Sequence, residues 1–219
     1  MSKMKKLLLA TSIMLGVSAP VAAVDLEYKG FYQRLNLIEE NKLDKITMAF
    51  YLVDSYKRSR CVLSDAKMLN KNGQHDDIAI ADDGQLLVPL SQSYYDNFAV
   101  LRVEQQDAGQ NCILQMQMQV KDKQQKAFSF SELALITWQM QELVDEFGGL
   151  LSFMMPNVQG LHIDMKKADS LKYIDSSLRD ALNCDGSVCK LLIDMDDKRD
   201  ENAIEFSTPP VVVAPWVEE

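Results

Sequence analysis

Histidine is nearly absent from this chain. There are only two, His75 and His162, among 219 residues. That scarcity excludes the His-rich sites of most catalytic zinc and copper centres. Glycine and proline are also sparse, at nine and six. No Gly-rich phosphate loop, Gly-x-Ser-x-Gly elbow, zinc-protease helix or haem attachment sequence occurs. Positive charge is in deficit. Lysine and arginine number 23 against 32 acidic residues, a formal charge of −9. Nucleic-acid phosphates and anionic lipid surfaces repel such a chain, so neither is an expected partner. After residue 23 no apolar run approaches the ~20 residues a membrane helix needs, so stable membrane insertion is not expected.

What the chain does have begins at its amino end. Lys3, Lys5 and Lys6 precede an apolar run from Leu7 to Val17, and Val21 and Ala23 occupy the positions a signal peptidase reads. This is the pattern of a secretory signal, and it predicts residues 1–23 as a leader removed before Val24. The residue directly after the cut is valine and not cysteine, which argues against a lipid anchor. The mature protein is expected in the periplasm. Loss of three lysines makes it more acidic still.

Four cysteines lie in the mature part, Cys61, Cys112, Cys184 and Cys189. An oxidising compartment favours two disulfides, for which three pairings exist. Asp185-Gly186-Ser187-Val188 between the last two cysteines is a tight-turn sequence. It favours Cys184–Cys189, and with it Cys61–Cys112. Zinc is the rival reading, disfavoured by export and by the lack of histidine.

Hydrophobic period divides residues 24–206 into a single α+β domain. Tyr28, Phe31, Tyr32, Leu35 and Ile38 predict a short helix over 28–40. Ile46 to Val53 alternates with both faces apolar, a strand covered on two sides. Cys61–Leu69 and Gln85–Leu90 are further strand candidates. Phe98–Glu104 and Cys112–Val120 flank a polar loop and predict a hairpin. In its second strand Cys112, Leu114, Met116, Met118 and Val120 form a dry face, and three glutamines a wet one. Ser131 to Phe147 is the strongest helix, with a serine to cap it and Gly148-Gly149 to end it. Its broad apolar stripe calls for a sheet face. Leu150–Met155 and Val158–Met165 predict a second hairpin, Ser170–Leu182 a short helix and Lys190–Met195 a strand. The expected fold is a mainly antiparallel sheet, with the long helix packed on its dry face and the short one at a margin.

Candidate sites are few. His162 and Asp164 share one face of a predicted strand, which suggests acid–base work in a hydrolase. A solvated strand face accounts for the pair as well. Asp76, Asp77, Asp82 and Asp83 cluster, as do Asp194, Asp196, Asp197, Asp200 and Glu201. The second cluster lacks the Gly and closing Glu of a calcium loop, Asp82-Asp83-Gly84 reads equally well as a hairpin turn, and no metal site is expected. Twelve methionines invite copper, but Met116 and Met118 fall on the dry face, where methionine fills core. No cofactor is expected. Residues 207–219 form an extended Pro/Val tail, Thr208-Pro209-Pro210-Val211-Val212-Val213-Ala214-Pro215-Trp216. Val211, Val213 and Trp216 there are the candidate contacts for a partner's sheet edge, with docking on the chain's own domain as the alternative.

Leu26-Glu27-Tyr28, Gly30-Phe31-Tyr32-Gln33-Arg34-Leu35 and the cysteines Cys61 and Cys112 resemble an uncharacterised family of small exported gammaproteobacterial proteins. The resemblance implies export and one domain, and assigns no activity or site residue. The function expected is a non-enzymatic periplasmic binding or interaction protein serving the cell envelope, with an envelope protein as its partner. The alternative is a periplasmic hydrolase using His162 and Asp164.

Overall fold

The computed structural model describes residues 22–217 apart from Gln74 and Ala108. Of the expected leader, residues 1–21 lie outside the described part. The chain opens with β1 (Ala22–Glu27), which runs directly into α1 (Tyr28–Glu40), and β2 (Ile46–Asp54) follows a short turn. Both α1 and β2 lie where their periodicity predicts. Phe31 of α1 meets Phe50 of β2 edge to face, with ring centroids 4.8 Å apart. Tyr28, Phe31, Phe50 and Tyr51 are among the largest fully buried side chains, so this aromatic contact lies at the centre of the core.

Next come β3 (Leu63–Leu69), β4 (His75–Asp77), the short α2 (Gln92–Asp96), β5 (Val100–Gln105) and β6 (Cys112–Val120). β5 and β6 do not form the expected hairpin. β1 pairs with one edge of β5 and β3 with the other, giving the sheet order β1-β5-β3-β4, while β6 pairs with β2 over nine residues. With both edges of β5 filled, the loop can only carry the chain across to β2. The Cys61–Cys112 disulfide ties the two sheets at that crossing, with Cα atoms 6.3 Å apart. Gln85–Leu90 is not a strand. Leu86 alone makes bridges, to Phe50 and Ile80, and Pro89 gives its carbonyl to the Tyr28 hydroxyl at 2.7 Å.

The alternation of β6 holds only over its first residues. Cys112, Met118 and Val120 are buried, but Met116 is 37% exposed and Gln119 only 2% exposed. The tail causes the second departure, since its residues 210–213 pack beside Gln119 and cover the expected wet face there.

β7 (Ala127–Ser129) leads into α3 (Phe130–Gly148). Ser129 and Glu132 form a reciprocal capping box at its start, satisfying two backbone donors that helix formation leaves open. Leu133, Ile136, Met140 and Leu143 are buried, as the apolar stripe requires. The helix packs mainly against β2, β7 and β8 (Val158–Asp164) rather than on β6. Gln139 fastens it, accepting from the Lys45 backbone N–H at 2.8 Å and donating to Asp44 at 2.8 Å.

The remaining strands are β9 (Leu171–Ile174), β10 (Leu182–Asp185), β11 (Val188–Leu192), β12 (Asn202–Phe206) and β13 (Val212–Val217). They build a sheet ordered β10-β11-β8-β13 and a smaller one ordered β7-β12-β9. Two expectations fail here. Leu150–Met155 is not a strand paired with β8, because the edges of β8 belong to β11 and β13. Ser170–Leu182 is not a helix. β12 draws Leu171–Ile174 into pairing, and Asp175 then accepts the Ser177 N–H at 2.9 Å, starting a single 3-10 turn. The tail is extended and docked. All pairings are antiparallel, and with one long helix the fold is α+β.

Candidate binding surfaces

The α3 helix stops because Gly149 adopts φ +52°, a left-handed value that side-chain-bearing residues rarely take. A 3-10 turn from Gly149 to Met154 follows. Its apolar side chains point outward. Leu150 is 98% exposed, Phe153 80%, Met154 71% and Leu151 57%. Fully burying each would be worth about 2 kcal/mol, so four neighbouring exposed side chains are a costly feature for a surface with no partner. Along the preceding helix Leu135, Trp138 and Phe147 are exposed too. The sequence period shows an apolar run here, but not that it faces water.

On another part of the surface, a cleft of about 430 Å3 opens beside the start of α3. Phe130, Leu133 and Val158 form a buried floor, and Leu178, Leu192 and Met195 an apolar wall and mouth. Charge enters from the loop after β11. Arg199 lies with its guanidinium carbon 3.6 Å from the Phe130 ring centroid and forks the Asp197 carboxylate, with Nη2 at 2.6 Å. That pairing holds the Asp197 carboxyl below the usual carboxylate range. No single short motif marks this cleft. Its residues come from α3, β8, β11 and two loops spread over seventy positions, and only folding brings them together.

His162 and Asp164 lie two apart on the same face of β8, both half-buried. His162 is flanked by Lys190 and Ala214 on the adjacent strands, and Asp164 by Val188 and Val212. No hydrogen bond joins the two side chains. Val213 is buried opposite Ile163, and Trp216 lies opposite Gly160 with the Lys190 ammonium 5.5 Å from its ring centroid. Val211 is exposed, and its N–H donates to the Asp164 carbonyl at 2.7 Å. The three tail residues named from sequence therefore lie beside or within β13, paired to their own sheet.

The acidic clusters have structural uses. Asp83 pairs with Lys123 at 2.7 Å and with Arg60. Asp76 accepts from the Tyr94 hydroxyl at 2.6 Å, an interaction that pushes the phenol up to about 12. Asp194 accepts the Asp196 N–H, and Asp200 the Ser131 hydroxyl. Among the described residues, no group of three His, Cys, Asp or Glu is placed to hold a metal ion. No described helix is long and apolar enough to cross a membrane. The second disulfide joins Cys184 and Cys189, register partners across the β10–β11 hairpin with Cα atoms 4.0 Å apart.

The surfaces thus define an α+β domain, cross-linked twice, with an apolar tip and a separate apolar cleft. Residues 21–165 match a family described as a protein of unknown function (DUF2987), and the chain belongs to that family. The matched span includes the tip, and ends before the loop that forms the charged side of the cleft. No curated protein and no solved structure matches the chain.

Proposed function

We propose that this chain is an exported, non-enzymatic interaction protein of the cell envelope, and that it engages a protein partner through the Leu150–Met154 tip. The observation that carries the reading is the outward display of Leu150, Leu151, Phe153 and Met154 from a cross-linked body. A convex apolar turn on a rigid support is suited to filling a partner's pocket, since little conformational entropy remains to be lost on binding. Export is supported by the Lys-rich, apolar leader and by the pairing of all four cysteines. Cleavage before Val24 would leave Val24–Glu27 of β1 in register with Val100–Val103 of β5.

The test is chemical cross-linking in the periplasm, comparing the native protein with a Leu150→Ser/Phe153→Ser variant. The substituted side chains are exposed, so the variant is expected to fold as the native protein does and to lose its cross-linked partner. A His162→Ala variant is expected to keep it. Retention of the same partner by the tip variant would overturn the assignment. Loss of an activity on His162→Ala would favour the hydrolase instead.

A further inference from the structure

The cleft beside α3 is independent of the tip, and its lining selects a kind of ligand. Its volume of about 430 Å3 falls within the ~300–1,000 Å3 of small-molecule sites. The floor is dry, and Leu192 and Met195 at the mouth are exposed apolar side chains with nothing over them. An apolar body is the natural filling.

The charges decide the rest. The lining carries two carboxylates, Asp194 and Asp197, and one cation, Arg199. That cation is already committed. Its Nε and Nη2 fork Asp197, and its guanidinium lies on the Phe130 ring. The fork offsets the Arg199 charge, so an incoming anion gains little there and meets the carboxylates of Asp194 and Asp197 beside it. Asp194 is in the opposite condition. Its Oδ1 accepts one backbone N–H, from Asp196, and among the described residues it forms no ion pair. The loop from Asp194 to Glu201 adds Asp196, Asp200 and Glu201 against Lys198, so the local field is negative. A positive head group at Asp194 is attracted, and a negative one is repelled.

We propose that this cleft binds a small molecule with an apolar body and a cationic head, an amine or quaternary ammonium, with the head at Asp194. The site does not depend on the tip. A protein carrying Leu150→Ser and Phe153→Ser is expected to bind the ligand as the native protein does, so the failure of either proposal leaves the other standing.

Titration calorimetry on the purified protein tests it with three probes of equal chain length, decyltrimethylammonium, decyl maltoside and decyl sulfate, each kept below its micelle-forming concentration. The ammonium probe is expected to bind saturably at one site, more tightly than the maltoside, with the sulfate weakest. Added salt is expected to weaken the ammonium probe alone. Asp194→Asn should lower ammonium affinity about three- to fivefold, the worth of one exposed ion pair, with the maltoside unchanged. Asp194→Lys should turn the preference towards the sulfate. Ala181→Trp should fill the cleft and abolish binding, with a native near-ultraviolet circular dichroism spectrum as the control. If that variant does not fold, the Asp194 pair decides alone, because the side chain is exposed. Sulfate binding as tight as ammonium binding, an Asp194→Asn variant with an unchanged preference, or no saturable binding would each overturn the proposal.

Discussion

A Cβ built on Gly160 would stand 2.0 Å from the carbonyl oxygen of Leu191 on the neighbouring strand. Gly160 lies in β8, between Leu192 of β11 and Trp216 of β13, so the obstruction is backbone held on both sides. No rotamer change can relieve it. Gly160→Ala is expected to destabilise the protein by about 3 kcal/mol, the upper part of the range for overpacking. Urea unfolding followed by circular dichroism measures this directly. A shift of a few tenths would mean that the β8–β11 ladder yields easily.

The two disulfides differ in the loop each closes. Cys61–Cys112 spans 51 positions and Cys184–Cys189 only 5. In the loop-entropy account, they remove about 4 and about 2 kcal/mol of unfolded-chain freedom respectively. Cys61→Ser/Cys112→Ser is therefore expected to lower stability roughly twice as much as Cys184→Ser/Cys189→Ser, as read from urea unfolding of the two variants. Peptide mapping without reduction should recover both pairs and no crossed pair.

Stability should fall in acid through carboxylates that serve as acceptors. Asp54 is buried and accepts the backbone N–H groups of Lys57 at 2.8 Å and Tyr56 at 2.9 Å. The Lys57 bond is the main reason its carboxyl lies below the ordinary value of 3.8. Asp25 is lowered likewise by the Arg102 fork. A group whose folded pKa is depressed favours the folded state above the unfolded pKa, and that contribution is lost as pH falls through the folded one. The urea midpoint should thus hold steady at neutral pH and drop as pH descends past 3.8. Asp54→Asn keeps an acceptor oxygen but removes the titration, so its acid limb should be shallower than that of the native protein.

Local order was the more legible part of this sequence. The 3.6-residue period marked α1 and α3, and a capping serine and Gly148-Gly149 marked the ends of α3, because those signals act within a few residues. Pairing was not legible in the same way. β5 and β6 each show strand character, yet nothing in their own residues says that β1 and β3 will claim β5. Exposure was hardest to read. Leu150, Phe153 and Gln119 break the usual relation between polarity and burial: the first two face water on a tip, and the last is covered by the tail. The cleft escaped the sequence reading because Phe130, Leu192 and Arg199 meet only in three dimensions. His162 and Asp164 stood out through their chemistry and lie on one strand face, where no hydrogen bond joins them.

The tail gives the last prediction. β13 runs antiparallel to β8, pairing Val212 with Asp164 and Val213 with Ile163. Val212, Val213 and Ala214 are all buried, so β13 acts as a sheet strand of the domain. Deleting residues 207–219 removes the burial of two valines, worth about 4 kcal/mol, and uncovers the backbone donors and acceptors along one edge of β8. An open apolar edge is a template for pairing with another chain. The truncated protein is therefore expected to melt at a lower temperature and to elute partly as dimers and larger species on size-exclusion chromatography. A synthetic peptide of residues 207–219, added in trans, should restore the monomer by refilling the edge. A truncated chain that stays monomeric with unchanged stability would mean that β13 detaches at little cost, leaving Val211, Val213 and Trp216 free for a partner's sheet.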